Sequence, residues 1–147
     1  MAQDELLVLH LRGHIAMKQF LALAHLLAFE HETRPFANLL FNWSDLESWD
    51  FQPPGRHEIQ PWLEDTHFIH RAAIVHRRGW NRQAAWLSAL LRTRDCVVRS
   101  YGHKDYRQAM TWLCEGVPKQ GSPGREIRID NGVLCSLMSG KTSQACS

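Results

Sequence analysis

A chain of 147 residues with 44% hydrophobic residues, 22% charged residues and a net charge of +2 is typical of one soluble globular domain, and it excludes a largely disordered, fibrous or collagen-like protein. The charge is uneven, because residues 1–70 hold four Lys or Arg and ten Asp or Glu (net −6), whereas residues 71–107 hold nine and two (net +7). Two segments of opposite net charge can attract each other within one fold or between two copies of the chain. We prefer this interpretation to a nucleic-acid-binding surface.

The first part of the chain alternates between strand and helix patterns. Residues 5–13 alternate Leu with other side chains, as in a strand, and Gly13 is predicted to end it. Residues 16–32 have helical spacing, and the proline at position 35 prevents the helix from continuing. Residues 36–41 form an apolar run suited to a buried strand. Residues 42–56 are rich in Asn, Ser, Asp, Pro and Gly, and they predict a loop or a broken helix.

The alternation continues in the second part. The predicted elements are a helix over 58–68 with Pro61 near its first turn, a strand over 72–75, a helix over 80–91, a strand over 96–101 and a helix over 106–113. Short apolar strands that alternate with amphipathic helices predict an α/β domain, in which helices pack on a mixed, mostly parallel sheet.

The composition changes near residue 116, towards Gly, Ser, Pro and Lys. We therefore place one α/β domain at residues 1–116 and a C-terminal tail at residues 117–147. Asn131-Gly132 stands between two semi-apolar runs in this tail, which is the sequence signature of a tight hairpin turn. The tail is predicted to be either flexible or a short hairpin.

The membrane and redox signals are simple. Residues 16–29, the longest nearly apolar stretch, are too few and too polar to span a bilayer. The acidic start of the chain lacks the basic region of a signal peptide, so we expect a cytoplasmic protein with no membrane span. The four cysteines contain no CxxC pair, and we expect free thiols, with Cys96 and Cys114 as small core residues.

Residues distributed over most of the chain carry a family resemblance. They form an aromatic-rich segment after an apolar strand, a basic residue before the next strand, a Trp after that strand, and an Ala with a Trp-Leu pair in the last helix. In this sequence they are Trp43, Asp45, Trp49, Arg71, Ile74, Val75, Trp80, Ala109, Trp112 and Leu113. Over about residues 5–115 the chain resembles the SpoIIAA-like proteins of bacteria, relatives of the STAS domain of anti-sigma-factor antagonists.

The resemblance implies a SpoIIAA/STAS-like single domain, comparable with the lipid-binding CRAL-TRIO fold. The antagonists themselves are controlled by phosphorylation of a Ser in an Asp-Ser-Ser-Gly-type turn. The corresponding segment here contains Ser44 and Ser48 but no Ser-Ser-Gly. Both serines are kept as candidate phosphorylation sites, although the departure from the motif argues against a phosphorylation switch.

The segments that follow two predicted strands supply the candidate site. In open α/β sheets, ligands bind beyond the carboxyl ends of the strands, where residues 42–51 and 76–80 are expected. The candidate ligand or partner surface consists of Trp43, Asp45, Trp49, His76, Arg77 and Trp80. The alternative is that the Trp side chains cap the core and the charged side chains are solvated.

Metal and catalytic signals are weak. His67, His70 and His76 lie near Asp65, but a whole strand separates the last histidine from the others, so we expect no metal site and no cofactor. The sequence contains no GxSxG, Walker or GxGxxG motif, and no catalytic residue is predicted.

The basic segment invites comparison with proteins that bind single-stranded nucleic acids. Such proteins interleave aromatic and basic side chains, as do Trp80, Arg82, Trp86, Tyr101 and Tyr106 here. Because the helical spacing directs Trp80 inward, we do not expect nucleic-acid binding.

Three functions stay open at this point. The preferred prediction is a non-enzymatic module that binds a partner protein or a small ligand, with a homodimer as a further expectation. The alternative is a carrier or sensor of an apolar, lipid-like ligand in a CRAL-TRIO-like pocket. The third is an enzyme without a readable motif.

Overall fold

A computed structural model describes residues 5–115 and 125–138, with side chains for residues 6–115 and 125–133. The strands are β1 (Glu5–Ala16), β2 (Phe36–Asp50), β3 (Arg71–His76), β4 (Val97–Gly102), β5 (Arg125–Asp130) and β6 (Val133–Met138). The helices are α1 (Met17–Thr33), α2 (Arg56–Glu64), α3 (Asn81–Arg92) and α4 (Tyr106–Cys114), and short 3₁₀ turns precede α3 and α4. No helix in these ranges is long and apolar enough to cross a membrane.

The strands form one sheet in the order β4-β3-β2-β1-β5-β6. The first five strands of this order run parallel, and β6 alone pairs antiparallel, with β5. The mixed, mostly parallel sheet with helices packed on it confirms the predicted α/β fold class.

The helices divide between the two faces of the sheet. Leu7, Leu9 and Leu11 of β1 belong to the larger core, with the apolar faces of α1, α2 and α3. Leu6 and Val8 point to the other face and belong to the smaller core, which α4 covers. Alternate residues of a strand face opposite sides of a sheet, so a strand with a helix layer on each side is apolar at nearly every position.

The predicted loop over residues 42–56 is wrong for residues 42–50, because β2 continues to Asp50, whereas residues 51–55 belong to neither helix nor strand, as predicted. Trp43, Leu46 and Trp49 are buried in this extension, and register shifts in its pairing with β1 give them a spacing of three instead of two. The polar residues that suggested a loop occupy exposed or half-buried positions between these three.

β1 is also longer than predicted, because it passes through Gly13 to Ala16. Gly13 has a φ angle of +71° and lies at a register shift. A glycine adopts this left-handed conformation without steric cost, so here it bends the strand and does not end it.

α2 begins and ends earlier than predicted, at Arg56 and Glu64. The Glu58 carboxylate accepts the Gly55 backbone N–H at 2.6 Å, which fixes the start of the helix. Pro61 therefore lies in the second turn and not near the first.

The β5–β6 hairpin is the part of the tail that the structure describes. Asn131 and Gly132 have φ angles of +52° and +78°, as a tight hairpin turn of this sequence requires. Its first strand pairs with β1, so this hairpin extends the main sheet. The rest of residues 117–147, including the end of the predicted tail, lies outside the described residues.

The two described thiols differ. Cys96 is buried as predicted, and burial raises the pKa of its thiol to about 12. Cys114 is exposed, so its prediction as a core residue was wrong. It ends α4 on the side away from the sheet, whereas the neighbouring Trp112 and Leu113 are buried.

Candidate functional site

The carboxyl ends of the parallel strands meet at one edge of the sheet and form a polar cleft there. This edge cleft has a volume of about 470 Å³. It is lined by Arg12, Gly13, Asp45, Glu47, Arg77, Asp130 and Asn131. β1, β2 and the β5–β6 hairpin supply six of these residues, and Arg77 follows β3 directly. The cleft thus lies where the general rule for open α/β sheets places a ligand.

A buried histidine adjoins the edge cleft. The side chain of His10 is 11% exposed, and its Nε2 lies 2.8 Å from Asp45 Oδ2 while its Nδ1 lies 3.2 Å from Glu126 Oε2. Burial lowers the pKa of His10, but hydrogen bonding and attraction to the two carboxylates outweigh it, so the net pKa is raised. The same interaction with His10 lowers the pKa of Glu126. The raised pKa extends the pH range over which His10 is charged, and its Nε2 contact holds Asp45 at the cleft.

The rim of the cleft is held by polar contacts between strands. Arg12 Nε lies 3.6 Å from Asp130 Oδ1, and both side chains are more than one third exposed. The Asn131 side-chain oxygen accepts the His14 backbone N–H at 3.0 Å. A Cβ atom on Gly13 would collide with the Asn131 side chain, so the close approach of the hairpin to β1 requires glycine.

The predicted site residues divide into three groups. Asp45 and Arg77 line the edge cleft. His76 is buried and lines a second cleft, between the ends of β3 and β4. Trp43 has no exposed surface and Trp49 is only 8% exposed, so these two side chains belong to the core.

Four tryptophans, Trp43, Trp49, Trp62 and Trp86, form an aromatic cluster around Phe20 of α1. The ring centroid of Phe20 lies 4.6 Å from that of Trp49 and 5.3 Å from that of Trp62. Trp43 contacts Trp49 edge to face at 5.2 Å, and the half-buried Trp80 lies 6.5 Å from Trp49. These aromatic side chains thus pack in or against the core. This agrees with the alternative prediction, in which the Trp side chains cap the core and do not line a binding surface.

The sequence pattern missed a large part of the edge cleft. The residues not predicted are Arg12, Glu47, Asp130 and Asn131, together with the adjoining His10 and Glu126. Asp130 and Glu126 lie in β5, beyond the predicted domain boundary at residue 116. The alternation of charged and apolar residues in 125–130 was a signal of a strand with one polar face.

A comparison with protein-family models decides the family. The SpoIIAA-like model matches residues 6–114, about three quarters of the chain. The chain belongs to the SpoIIAA-like family. This confirms the predicted resemblance, and the family suggests a STAS-type module, often one that takes part in protein interactions. Neither the curated proteins nor the solved structures compared with the chain contain a match.

The candidate phosphorylation sites of this SpoIIAA-like chain lie in β2 and not in a turn. Ser48 is exposed, and its Oγ lies 2.6 Å from His14 Nδ1. Ser44 is half-buried, and its backbone N–H donates to the Asn42 side chain at 3.1 Å. Phosphorylation of either residue stays a prediction.

The histidines near the end of α2 do not converge. His67 Nδ1 lies 2.9 Å from the Glu64 carbonyl oxygen, and Asp65 lies 3.7 Å from His25. His76 lies at the other end of β3. Within residues 5–115 and 125–133, no three His, Cys, Asp or Glu side chains form a group that could hold a metal ion.

Several cations of the basic segment cover aromatic rings of the fold itself. The guanidinium groups of Arg71 and Arg99 lie 5.2 and 4.7 Å from the ring of Trp112, and that of Arg82 lies 5.4 Å from Phe51. Cation–π contacts of this kind stabilise the fold. Of the side chains that a stacking surface for nucleic acid would use here, these contacts engage Arg82.

Proposed function

We propose that this SpoIIAA-like chain is a non-enzymatic binding module whose edge cleft holds charged side chains of a partner protein. The observation that supports this proposal is the mixed charge of the exposed rim. Arg77 and Glu47 are exposed, and the side chain of Asp45 is 54% exposed. Cations and carboxylates in one cleft complement a partner segment that carries both signs of charge, and such complementarity gives specificity.

The lining of the edge cleft favours a polar partner over an apolar ligand. Its lining residues are charged side chains, one asparagine and one glycine. Pockets for apolar ligands are lined mainly by hydrophobic and aromatic side chains. In this chain Trp43 and Trp62 are completely buried against Phe20 and its neighbours. The lining of the edge cleft therefore does not favour the apolar-ligand carrier.

His10 is better suited to a positioning role than to catalysis. A general base must reach the proton that it removes. Both ring nitrogens of His10 face carboxylates, and its side chain is 11% exposed. We propose that His10 fixes the orientation of Asp45 for the partner.

The test compares three forms of the full chain in cross-linking and affinity capture from extracts of the source cells. The first is the wild type, and the second is Glu47→Ala/Arg77→Ala, which removes two exposed cleft side chains. The third, Glu32→Ala/Arg94→Ala, makes the same change of charge at exposed positions outside the cleft. We expect one partner to be captured by the wild type and the control and to be lost with the cleft variant. Equal capture by all three forms would contradict the proposal.

Native mass spectrometry of gently purified protein separates the remaining alternatives. A protein that acts by binding a partner should give the mass of the chain alone when that partner is removed. An extra mass that is released on denaturation would favour the ligand carrier instead. A doubled mass would favour the homodimer expected from the opposed charges.

A further inference from the structure

A second cleft opens between the carboxyl ends of β3 and β4, and we call it the β3–β4 crevice. The two strands are parallel neighbours, and His76 pairs with Gly102 at their ends. The chain leaves β3 towards α3, on the face of the larger core, and leaves β4 towards α4, on the opposite face. Connections that diverge in this way leave a crevice outside the carboxyl ends of the two strands, the end of an open α/β sheet at which ligands bind. Its volume is about 640 Å³.

The lining of the crevice contains more cations than carboxylates. Arg78, His103 and Lys104 line it, together with Ser100 and Tyr101. Asp105 is the single carboxylate in this lining. Arg78 and Lys104 are exposed, and neither is paired with a carboxylate in the described parts of the chain. These two cations are therefore available to an anion.

Two helices begin at the crevice. α3 has 12 residues and α4 has 9, and Asn81 and Asp105 at their starts both belong to the lining. The N-cap residues are Trp80 for α3 and Asp105 for α4, and neither side chain bonds to a backbone N–H of its helix. The first N–H groups of a helix carry partial positive charge and lack partners within the helix. Here the starts of two helices supply such groups to one crevice.

His76 provides independent evidence for a ligand. The residue is only 8% exposed, yet it lines the crevice. Its Nδ1 lies 2.7 Å from the Arg77 carbonyl oxygen. A carbonyl accepts hydrogen bonds only, so Nδ1 carries a proton there. Nε2 has no hydrogen-bond partner among the described residues, and it is not fully enclosed. Because Nδ1 holds the proton, Nε2 is an acceptor, and a ligand with an acidic O–H would donate to it.

We propose that the β3–β4 crevice binds a small phosphate-bearing molecule, with the phosphate between the starts of α3 and α4. Arg78 and Lys104 donate charge-assisted hydrogen bonds to its oxygens, and His76 Nε2 accepts a hydrogen bond from a phosphate hydroxyl group. The backbone N–H groups at the helix starts complete the site, as at other phosphate-binding helix ends. The crevice shares no lining residue with the edge cleft. Phosphate binding at the crevice can therefore be tested independently of partner binding at the edge cleft.

The test is calorimetric titration of the full chain with inorganic pyrophosphate at constant ionic strength. We expect saturable binding to the wild type. Arg78→Gln and Lys104→Gln should each weaken it about tenfold or more, because each removes a hydrogen bond between charged groups. Arg94→Gln is the matched control, since it changes the net charge equally at an exposed position outside the crevice. It should leave the affinity unchanged.

Amide chemical shifts of ¹⁵N-labelled protein locate the site directly. Pyrophosphate should shift the backbone amides at the starts of α3 and α4, residues 81–83 and 106–108, and the side-chain signals of His76. Absence of saturable binding at millimolar pyrophosphate would overturn the proposal. Equal weakening by Arg94→Gln, or shifts confined to other regions, would also overturn it, because either would indicate attraction by net charge alone. Circular dichroism of the variants verifies that each is folded.

Discussion

Trp49 illustrates, at the residue scale, how burial separates a side chain that stabilises the fold from one that is available to a partner. The sequence places Trp49 among acidic residues, which suggested an exposed aromatic surface. In the structure the indole packs on Phe20, while Asp50 and Glu47 point outward. Asp45 and Arg77 were predictable as site residues because they follow apolar runs. The directions of Trp43 and Trp49 were not, because they depend on the register shifts between β1 and β2.

Alanine at Trp49 tests this assignment. Trp→Ala in a core costs about 3–5 kcal/mol in the free energy of unfolding, and we expect a loss in this range from Trp49→Ala. The matched control is Phe29→Ala, since Phe29 is 63% exposed, and its cost should stay within about 0.5 kcal/mol. Urea unfolding measures both. If Trp49→Ala were as mild as the control, Trp49 would belong to the surface and not to the core.

His10 makes the stability of the fold depend on pH. Its pKa is raised above the ordinary 6.5, so its contribution is complete below pH 6.5 and is lost as the pH rises through the raised value. The pKa of Glu126 is lowered below 4.5, so its contribution is present above pH 4.5 and is lost as the pH falls through the lowered value. The pair should therefore stabilise the fold most between pH 4.5 and 6.5.

The variant His10→Gln isolates this effect. We expect the difference in unfolding free energy between wild type and His10→Gln to shrink from about pH 6 to about pH 9, as the wild-type imidazole loses its proton. Urea unfolding across this range measures the difference. His57→Gln is the control, because His57 is exposed, and its difference from the wild type should not follow this trend. A constant difference for His10→Gln would mean that the carboxylates do not hold a charged imidazole.

At the scale of secondary-structure elements, local patterns predicted α1, β3, α3, β4 and α4 close to their observed bounds. Each has either a regular apolar period or, in β3, a continuous apolar run, and both are properties of neighbouring positions. The extension of β2 could not be predicted in this way, because bulges change its apolar spacing from two to three. The place of β5 beside β1 could not be predicted either, because the pairing joins residues that are far apart in the sequence.

A buried ion pair anchors β5 to α1. Arg125 Nη1 lies 2.8 Å from Glu30 Oε1, and the two side chains are only 3% and 4% exposed. Arg125 also donates to the Arg34 carbonyl oxygen, and its guanidinium lies 5.6 Å from the ring of Phe36. The hairpin is thereby tied to the end of α1, in addition to its pairing with β1.

Removal of one partner of this pair should be costly. Arg125→Met leaves the Glu30 carboxylate buried without its cation, and we expect a loss of about 3–5 kcal/mol in the free energy of unfolding. Glu30→Leu/Arg125→Met removes both charges and should regain most of that loss. Arg12→Gln breaks the half-exposed pair with Asp130 and should cost less than about 1 kcal/mol. Equal effects of the two single variants in urea unfolding would contradict a dominant role for the buried pair.

At the scale of the whole molecule, the α/β class followed from the alternation of strands and helices, whereas the extent of the folding unit did not. The predicted boundary at residue 116 rested on a change of composition. Yet Ile127 and Ile129 of β5 are buried in the larger core, and β5 covers the edge of β1 that β2 leaves free. The edge cleft also takes Asp130 and Asn131 from this hairpin. Residues before and after position 116 therefore contribute together to the larger core and to the edge cleft.

We infer that a chain ending at residue 116 does not fold as the full chain does. The truncation exposes the edge of β1, which favours aggregation, removes Ile127 and Ile129 from the core and leaves Glu30 without Arg125. We expect it to lose cooperative thermal unfolding by circular dichroism and to elute as aggregates in size exclusion. Co-expression with a separate peptide of residues 117–147 should restore a soluble complex, because the peptide supplies the same strand and the same cation. If residues 1–116 instead unfold cooperatively with the stability of the full chain, they are an independent domain. The hairpin would then add two strands at the edge of the sheet without stabilising it.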